Sequence, residues 1–228
     1  SCAELIGIHL EGPFISPAKK GAQKESNIVP PSAALFEKLW EASDGLLKII
    51  TMAPETDSAL SFIQEFSDRV HISVGHTAAD YDTAARAFDA GADHLTHLFN
   101  AMNPLHHRHP GPIGAAFEHP GVFAEMICDG VHIHPAVMKA SLQMFGKERI
   151  VFISDSMRAT GLPDGHYELG GQPVDVKGSL ATLPDGTIAA SVTNLMDCMK
   201  KAVSVGIPLE TAVRCASYNP ACSIGVSD

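Results

Sequence analysis

The stretch VHISVGHTAADYDTAARAFDAGADHLTHLFNAM, from Val70 to Met102, decides how the rest of the chain is read. Val70 to Val74 is a short β-prone run that stops at Gly75-His76-Thr77. Ala78 to Ala90 then carries Ala84, Ala85 and Phe88 at helical spacing, with Asp80 and Asp82 in the first turn and Gly91 as the stop. His94 to Leu98 starts the next strand and brings in His97, then Asn100. A crossover of this length between parallel strands is what a βαβ unit needs. Such a unit puts His76 and His97 at the same end of neighbouring strands, where two imidazoles can share one metal ion. A lone histidine at a strand end is more often a cap or a satisfied core group; two at matching positions of consecutive units favour a site.

Working outward, the same pattern repeats. Leu5 to Leu10 reads as a strand ending at Glu11-Gly12-Pro13, and Ser32 to Ala42 as a helix with Leu35, Phe36 and Leu39 on one face. Leu46 to Met52 is a strand ending at Ala53-Pro54-Glu55, and Asp57 caps a helix to Phe66. After the opening unit, Asn103 to Gly114 is a loop rich in His and Pro. Val122 to Cys128 is a strand ending at Asp129-Gly130-Val131-His132, His134-Pro135 opens a helix through Phe145, and Ile150 to Ile153 ends at Ser154-Asp155. Strands alternating with helices predict a parallel sheet covered by helices. Six strands deliver polar residues at their C-terminal ends: Glu11, Glu55, His76, His97, Asp129 with His132, and Asp155. In a (β/α)8 barrel that rim carries the active site. An open doubly wound sheet would instead use a Gly-rich phosphate turn, and no such sequence is present. The expectation is therefore an α/β fold, a TIM barrel of which about six of eight strands are visible. Residues 162–191, bracketed by two Leu-Pro-Asp-Gly turns, read as a β-hairpin insertion after the last of them. Helices resume at Leu195 to Val205 and Pro208 to Ala216.

The composition fits an ordinary globular protein, 45% hydrophobic and 18% charged over 228 residues. A formal charge of −10 argues against a general nucleic-acid surface. It leaves room for a small anionic substrate held by a few local cations. Five cysteines without C-x-x-C spacing point to a reduced, cytoplasmic setting. No run is apolar enough to span a membrane, and no signal peptide is visible. The chain opens on Ser1-Cys2-Ala3-Glu4 and runs straight into a strand, as an internal segment of a longer protein would.

Glu11, His76 and His97 supply one carboxylate and two imidazoles, the ligand set of a hydrolytic metal. Asp155 is the candidate to take a proton from water and pass it to a leaving group; its alternative is a helix cap or Asx turn. Glu55 has no evident partner and reads as structural. His132 reads as a substrate contact and His134 as a helix-start residue. His106, His107 and His109 surround Arg108, either as an anion-binding patch or as a plain solvated loop.

The ordered set GIHLEGPF (Gly7–Phe14), Gly75-His76-Thr77, THLFNAM (Thr96–Met102), Arg108 with Pro110-Gly111, Asp129-Gly130-Val131-His132, Ser154-Asp155, ATGLPDG (Ala159–Gly165) and Asn219-Pro220 covers essentially the whole chain. It resembles the N-acetylglucosamine-6-phosphate deacetylase family of the amidohydrolase superfamily. The resemblance implies hydrolysis of the acetamido group of N-acetylglucosamine 6-phosphate to glucosamine 6-phosphate and acetate, in amino-sugar catabolism and cell-wall recycling. It implies that Glu11, His76 and His97 hold one divalent metal, zinc or iron, and that Asp155 acts first as base and then as acid. Asn100, Ala101 and His132 become sugar-phosphate contacts. Gln23 stands where some members place a histidine that helps polarise the carbonyl, and other members have Gln. Arg108 would reach the phosphate of a neighbouring subunit, which implies a homodimer. His109 stands where an acid is common. Family members are longer at both ends, so residues 1–228 are expected to be a partial barrel domain. The small β-sandwich domain is largely absent, as is the H-x-H segment that can hold a second metal. Two unpaired sheet edges should leave such a piece poorly stable alone unless another chain covers them. The alternatives are another amidohydrolase, acting on a cyclic amide or an N-acyl amino acid, and a non-catalytic segment.

Overall fold

The computed structural model describes residues 4–228; residues 1–3, Cys2 among them, lie outside it. Six parallel strands pair in chain order: β1 (Ile8–Glu11), β2 (Leu47–Met52), β3 (His71–Val74), β4 (His94–Leu95), β5 (Phe123–Ile127) and β6 (Ile150–Ile153). Between them run α1 (Ala33–Ala42), α2 (Ala59–Phe66), α3 (Tyr81–Asp89), α4 (Gly111–Glu118) and α5 (Pro135–Phe145). β2, β5 and β6 are largely apolar and buried, as strands covered on both faces are, while β1 is only partly buried. Ser32 and Asp80 cap α1 and α3 by accepting from Leu35 N and Thr83 N. The α2 cap differs from expectation: Ser58, at φ 64°, holds that place and makes no side-chain bond.

The sheet curls. Lying flat, β1 and β5 would be about 19 Å apart, four spacings of about 4.8 Å. Instead His9 of β1 approaches Glu125 of β5, Nδ1 to Oε1 3.4 Å. His9 also pairs with Thr51 of β2 at 2.8 Å, and Thr51 with Thr96 at 2.7 Å. A part-built barrel thus has a polar middle layer, while Phe36, Phe62, Ile63, Phe66, Ile50 and Ile72 fill the space between strands and helices. Among the described residues β1 and β6 each have one neighbouring strand.

Three stretches depart from the sequence reading. β4 has two residues, not five, because His97, Phe99 and Ala101 adopt left-handed φ values of 28°, 74° and 48° and turn the chain off the ladder. Part of the His/Pro loop is helical: α4 buries Ile113, Ala115 and Ala116, and its Pro112 sits in the first turn, where a missing N–H costs nothing. The expected hairpin is a four-stranded antiparallel meander: β7 (Gly165–Leu169), β8 (Gln172–Lys177), β9 (Leu180–Thr182) and β10 (Ile188–Ala190). Val174, Val176, Ala181 and Leu183 pack with Met157 and Ala159 into its own small core. Two of its strands are only three residues long, too short for alternation to register. The chain then returns through α6 (Leu195–Ser204), α7 (Leu209–Val213) and α8 (Asn219–Ser223). Asn219 pins α8 to β6 by donating to the carbonyls of Lys147 and Ile150, both at 2.7 Å.

Arg149, just before β6, ties two helix ends together. It donates to the carbonyls of Phe145 (3.0 Å), Ala116 (3.0 Å), His119 (2.8 Å) and Phe117 (3.2 Å), with its guanidinium over the Phe145 ring. These include carbonyls that the ends of α4 and α5 leave without helical partners. Arg149→Ala should lower unfolding stability by about 2 kcal/mol in urea melts, and Arg149→Lys should recover at most half, lacking the planar fork. An unchanged midpoint would contradict this role.

Candidate metal centre

The C-terminal strand ends converge as the βα pattern requires. Glu11 ends β1, His76 lies two residues past β3 and His97 two past β4. Gly75 lets β3 end here: a Cβ on it would lie 2.6 Å from the Thr96 side chain and 2.8 Å from that of Thr51. His76, His97 and Asp155 all have left-handed φ, at 46°, 28° and 49°. Non-glycine residues adopt this conformation at a cost of about 1 kcal/mol or more, and such strain gathers at functional sites. The surrounding bonds hold it. Thr77 N donates to Ala101 O, and Asn103 Nδ2 donates to Ala78 O and Ala79 O. Glu55, which showed no partner in the sequence, accepts from Thr77 Oγ1 at 2.5 Å and from Ala78 N at 2.6 Å. Asp155 is held by the meander: its carbonyl accepts from Ser191 N at 2.8 Å, while Ser191 Oγ donates to Ser154 O.

Glu11 Oε1 stands 2.5 Å from His76 Nε2 and 3.0 Å from His97 Nε2, and the two nitrogens are 3.1 Å apart. His76 Nδ1 donates to the Lys19 carbonyl at 2.7 Å, so the neutral ring turns a bare Nε2 toward the carboxylate. Three lone-pair atoms facing one point repel unless a cation lies among them. Donors bound to one ion at about 2.0 Å are separated by about 3.3 Å; two of the three pairs, at 3.0 and 3.1 Å, are close to that spacing, and the Glu11–His76 pair at 2.5 Å is tighter. The residues therefore fit a divalent metal. A fixed Nδ1 donor on His76 is the outer bond that metal-ligating histidines use.

Burial opposes charge on Glu11, but hydrogen bonds with His76 and His97 outweigh it and hold the carboxyl well below the usual carboxylate range. Burial also opposes charge on His97, and the adjoining Glu11 overcomes it, raising the ring to about 9. Asp155 is pushed upward by burial first and then by the charge of Glu11.

Glu11, His76, His97 and Asp155 line one cavity of 690 Å³, together with Gln23, Asn100, Ala101 and His132. Gln23 is fixed by donating to Glu11 O at 2.9 Å. His134 faces away, capping α5 through Ala136 N. Arg108 is not in this cavity. It is exposed beside His107 and lines a separate 890 Å³ hollow with His106, His109, Asp80, Asp82 and Glu118. Sequence reasoning missed Ser191, whose role depends on a distant turn, and Glu125. The latter had a signal: a carboxylate in the middle of the apolar strand FAEMI, 3% exposed, reaching toward His97 N. A second cluster joins His71 and His94 through Asp93 at 2.6 and 2.7 Å, at the other end of the strands.

The chain's sequence matches the model of the amidohydrolase family over residues 1–228. It is 49% identical over 194 residues to the N-acetylglucosamine-6-phosphate deacetylase of Bacillus subtilis strain 168, covering 85% of this chain and 49% of that one. It is 37% identical over 226 residues to the N-acetylgalactosamine-6-phosphate deacetylase of Escherichia coli O157:H7, covering 98% and 60%. The structure superposes with a TM-score of 0.93, at 40% identity, on a mutant N-acetyl-D-glucosamine-6-phosphate deacetylase of Mycobacterium smegmatis in complex with N-acetyl-D-glucosamine-6-phosphate, covering 96% of this chain and 60% of that one. The chain spans about half to three fifths of the length of these relatives.

The ion-pair cluster sets a pH signature for the metal-free protein. Glu11 is depressed from 4.5, so its contribution to stability is present above that value and is lost as pH falls through its lower folded value. His97 is raised from 6.5 to about 9, so its contribution is complete below 6.5 and is lost as pH rises through 9. Urea midpoints of chelator-treated protein should fall between pH 7 and 9.5, and Glu11→Gln should flatten that limb. An equal alkaline fall in both proteins would contradict the coupling.

Proposed function

The chain belongs to the amidohydrolase family, and from that premise we propose that it carries the metal-dependent N-deacetylase centre for N-acetylglucosamine 6-phosphate, giving glucosamine 6-phosphate and acetate. The observation that carries the reading is one cavity in which Glu11, His76 and His97 meet and Asp155 faces them. A divalent metal, zinc or iron, held by those three residues would supply the Lewis acidity that acidifies a water and polarises an amide carbonyl. Asp155 takes the proton of the attacking water on its carboxylate and delivers it to the departing amine nitrogen.

His132, Asn100 and Ala101 bind the sugar phosphate, and Gln23 orients the acyl end beside Glu11. Arg108, outside the cavity of its own chain, serves the phosphate in a partner's site, so the working form is a homodimer. In this reading residues 1–228 are the barrel part of the enzyme and 162–191 an insertion that roofs the cavity through Leu169, Ile188 and Ala189. The setting is cytoplasmic amino-sugar catabolism and cell-wall recycling; among the described residues no helix is long and apolar enough to cross a membrane. The relative that bears the galactosamine name makes the 4-epimer the second substrate to try.

Acetate release with zinc added tests the proposal on N-acetylglucosamine with and without its 6-phosphate, and on N-acetylgalactosamine 6-phosphate. Release from the phosphorylated glucosamine sugar only is the predicted result. Equal release from the unphosphorylated sugar would remove the phosphate contacts, and release from none would contradict the proposal. Asp155→Asn should cut turnover by about a thousandfold with zinc still bound; retained turnover would move the base elsewhere.

A further inference from the structure

His132 lines the cavity, yet its ring does not stand there freely. Asp129, two residues past the end of β5, turns its carboxylate back on the following segment. Oδ1 accepts from Val131 N at 2.8 Å and from His132 N at 2.9 Å, and Oδ2 accepts from His132 Nδ1 at 2.7 Å. Gly130, at φ 80°, permits the return, and a Cβ there would meet the Lys201 side chain at 2.5 Å. Both side chains are buried, at 5% and 6% exposure. Three donors on one buried carboxylate make it an acceptor only: burial opposes its charge, and the bonds from His132 and Val131 override that opposition. Nδ1 of His132 must therefore carry the proton. Nε2, with no hydrogen-bond partner among the described residues, is the nitrogen left for the cavity.

We infer that Asp129 is a positioning residue that locks His132 in its Nδ1–H tautomer, so that Nε2 presents a lone pair to a hydroxyl of the bound sugar. The step from tautomer to sugar rests on the deacetylase reading above; the tautomer itself does not. Replacement of Asp129 by Asn keeps an oxygen for the two backbone donors and turns an NH2 group toward Nδ1. The ring must then accept at Nδ1 and move its proton to Nε2, where it becomes a donor to the cavity.

Nitrogen-15 NMR of the labelled chain at pH 9, with His132 assigned by its loss in His132→Asn, reads the tautomer directly. A protonated Nδ1 and a bare Nε2 in the parent chain, reversed in Asp129→Asn, are the expected result. A proton on Nε2 in the parent chain, or the same tautomer in both, overturns the inference; the first of these stands even where the variant folds poorly. Titration with N-acetylglucosamine 6-phosphate then separates positioning from general support. Asp129→Asn should weaken binding about tenfold, the worth of one hydrogen bond, and should add nothing in a His132→Asn background. A further loss in that background overturns action through His132. A chain that binds no sugar phosphate at all would sink the deacetylase reading, while the tautomer measurement would still decide the lock.

Discussion

Glu11 Oε1, His76 Nε2 and His97 Nε2 each need a positive partner, and they meet within 3.1 Å of one another. That convergence sets the terms for what surrounds it. It brings β1 against the end of β4, which a flat sheet cannot do, so the curl of the strands and the site depend on each other. It also requires His76 and His97 to leave their strands in left-handed conformations. The local strain is tolerated because the loops after β2, β3 and β4 are laced together, with Thr77 and Asn103 bonding between the last two and Glu55 tying the first to the second.

The interior follows the same logic. Most barrel cores are filled by branched apolar side chains, yet here His9, Thr51, Ser73, Thr96 and Glu125 form the layer beneath the site. A buried polar group is costly unless paired, and these are paired with one another across four or more strands. The stability of the fold is carried elsewhere, by the aromatic packing of Phe36, Phe62 and Phe66 between sheet and helices and by single residues such as Arg149 and Asn219 that close helix ends. The molecule separates an apolar outer layer that holds it together from a polar inner one that presents chemistry.

Much of this was legible in the chain itself. Strand and helix periods are local, so the βα alternation and the strand-end positions of Glu11, His76, His97, Asp129 and Asp155 follow from short-range pattern. His134 as a helix cap and His132 as a cavity residue were separable for the same reason, since Pro135 marks where the helix begins. What local pattern cannot supply is long-range pairing. The grip of Ser191 on Asp155 links residues 36 positions apart through a meander of very short strands, and Lys19 acts on His76 through a backbone carbonyl that no side chain announces. Glycine and proline hid α4, whose burial overrides its weak propensity.

Metal content tests the central claim most directly. The chain should be stripped with chelator, dialysed against micromolar zinc at pH 8, and compared with Glu11→Gln by elemental analysis. One zinc ion per chain in the parent, lost on replacing the single carboxylate that both imidazoles face, is the predicted result. Zinc retained undiminished by Glu11→Gln, or none bound by the parent chain, would contradict the account.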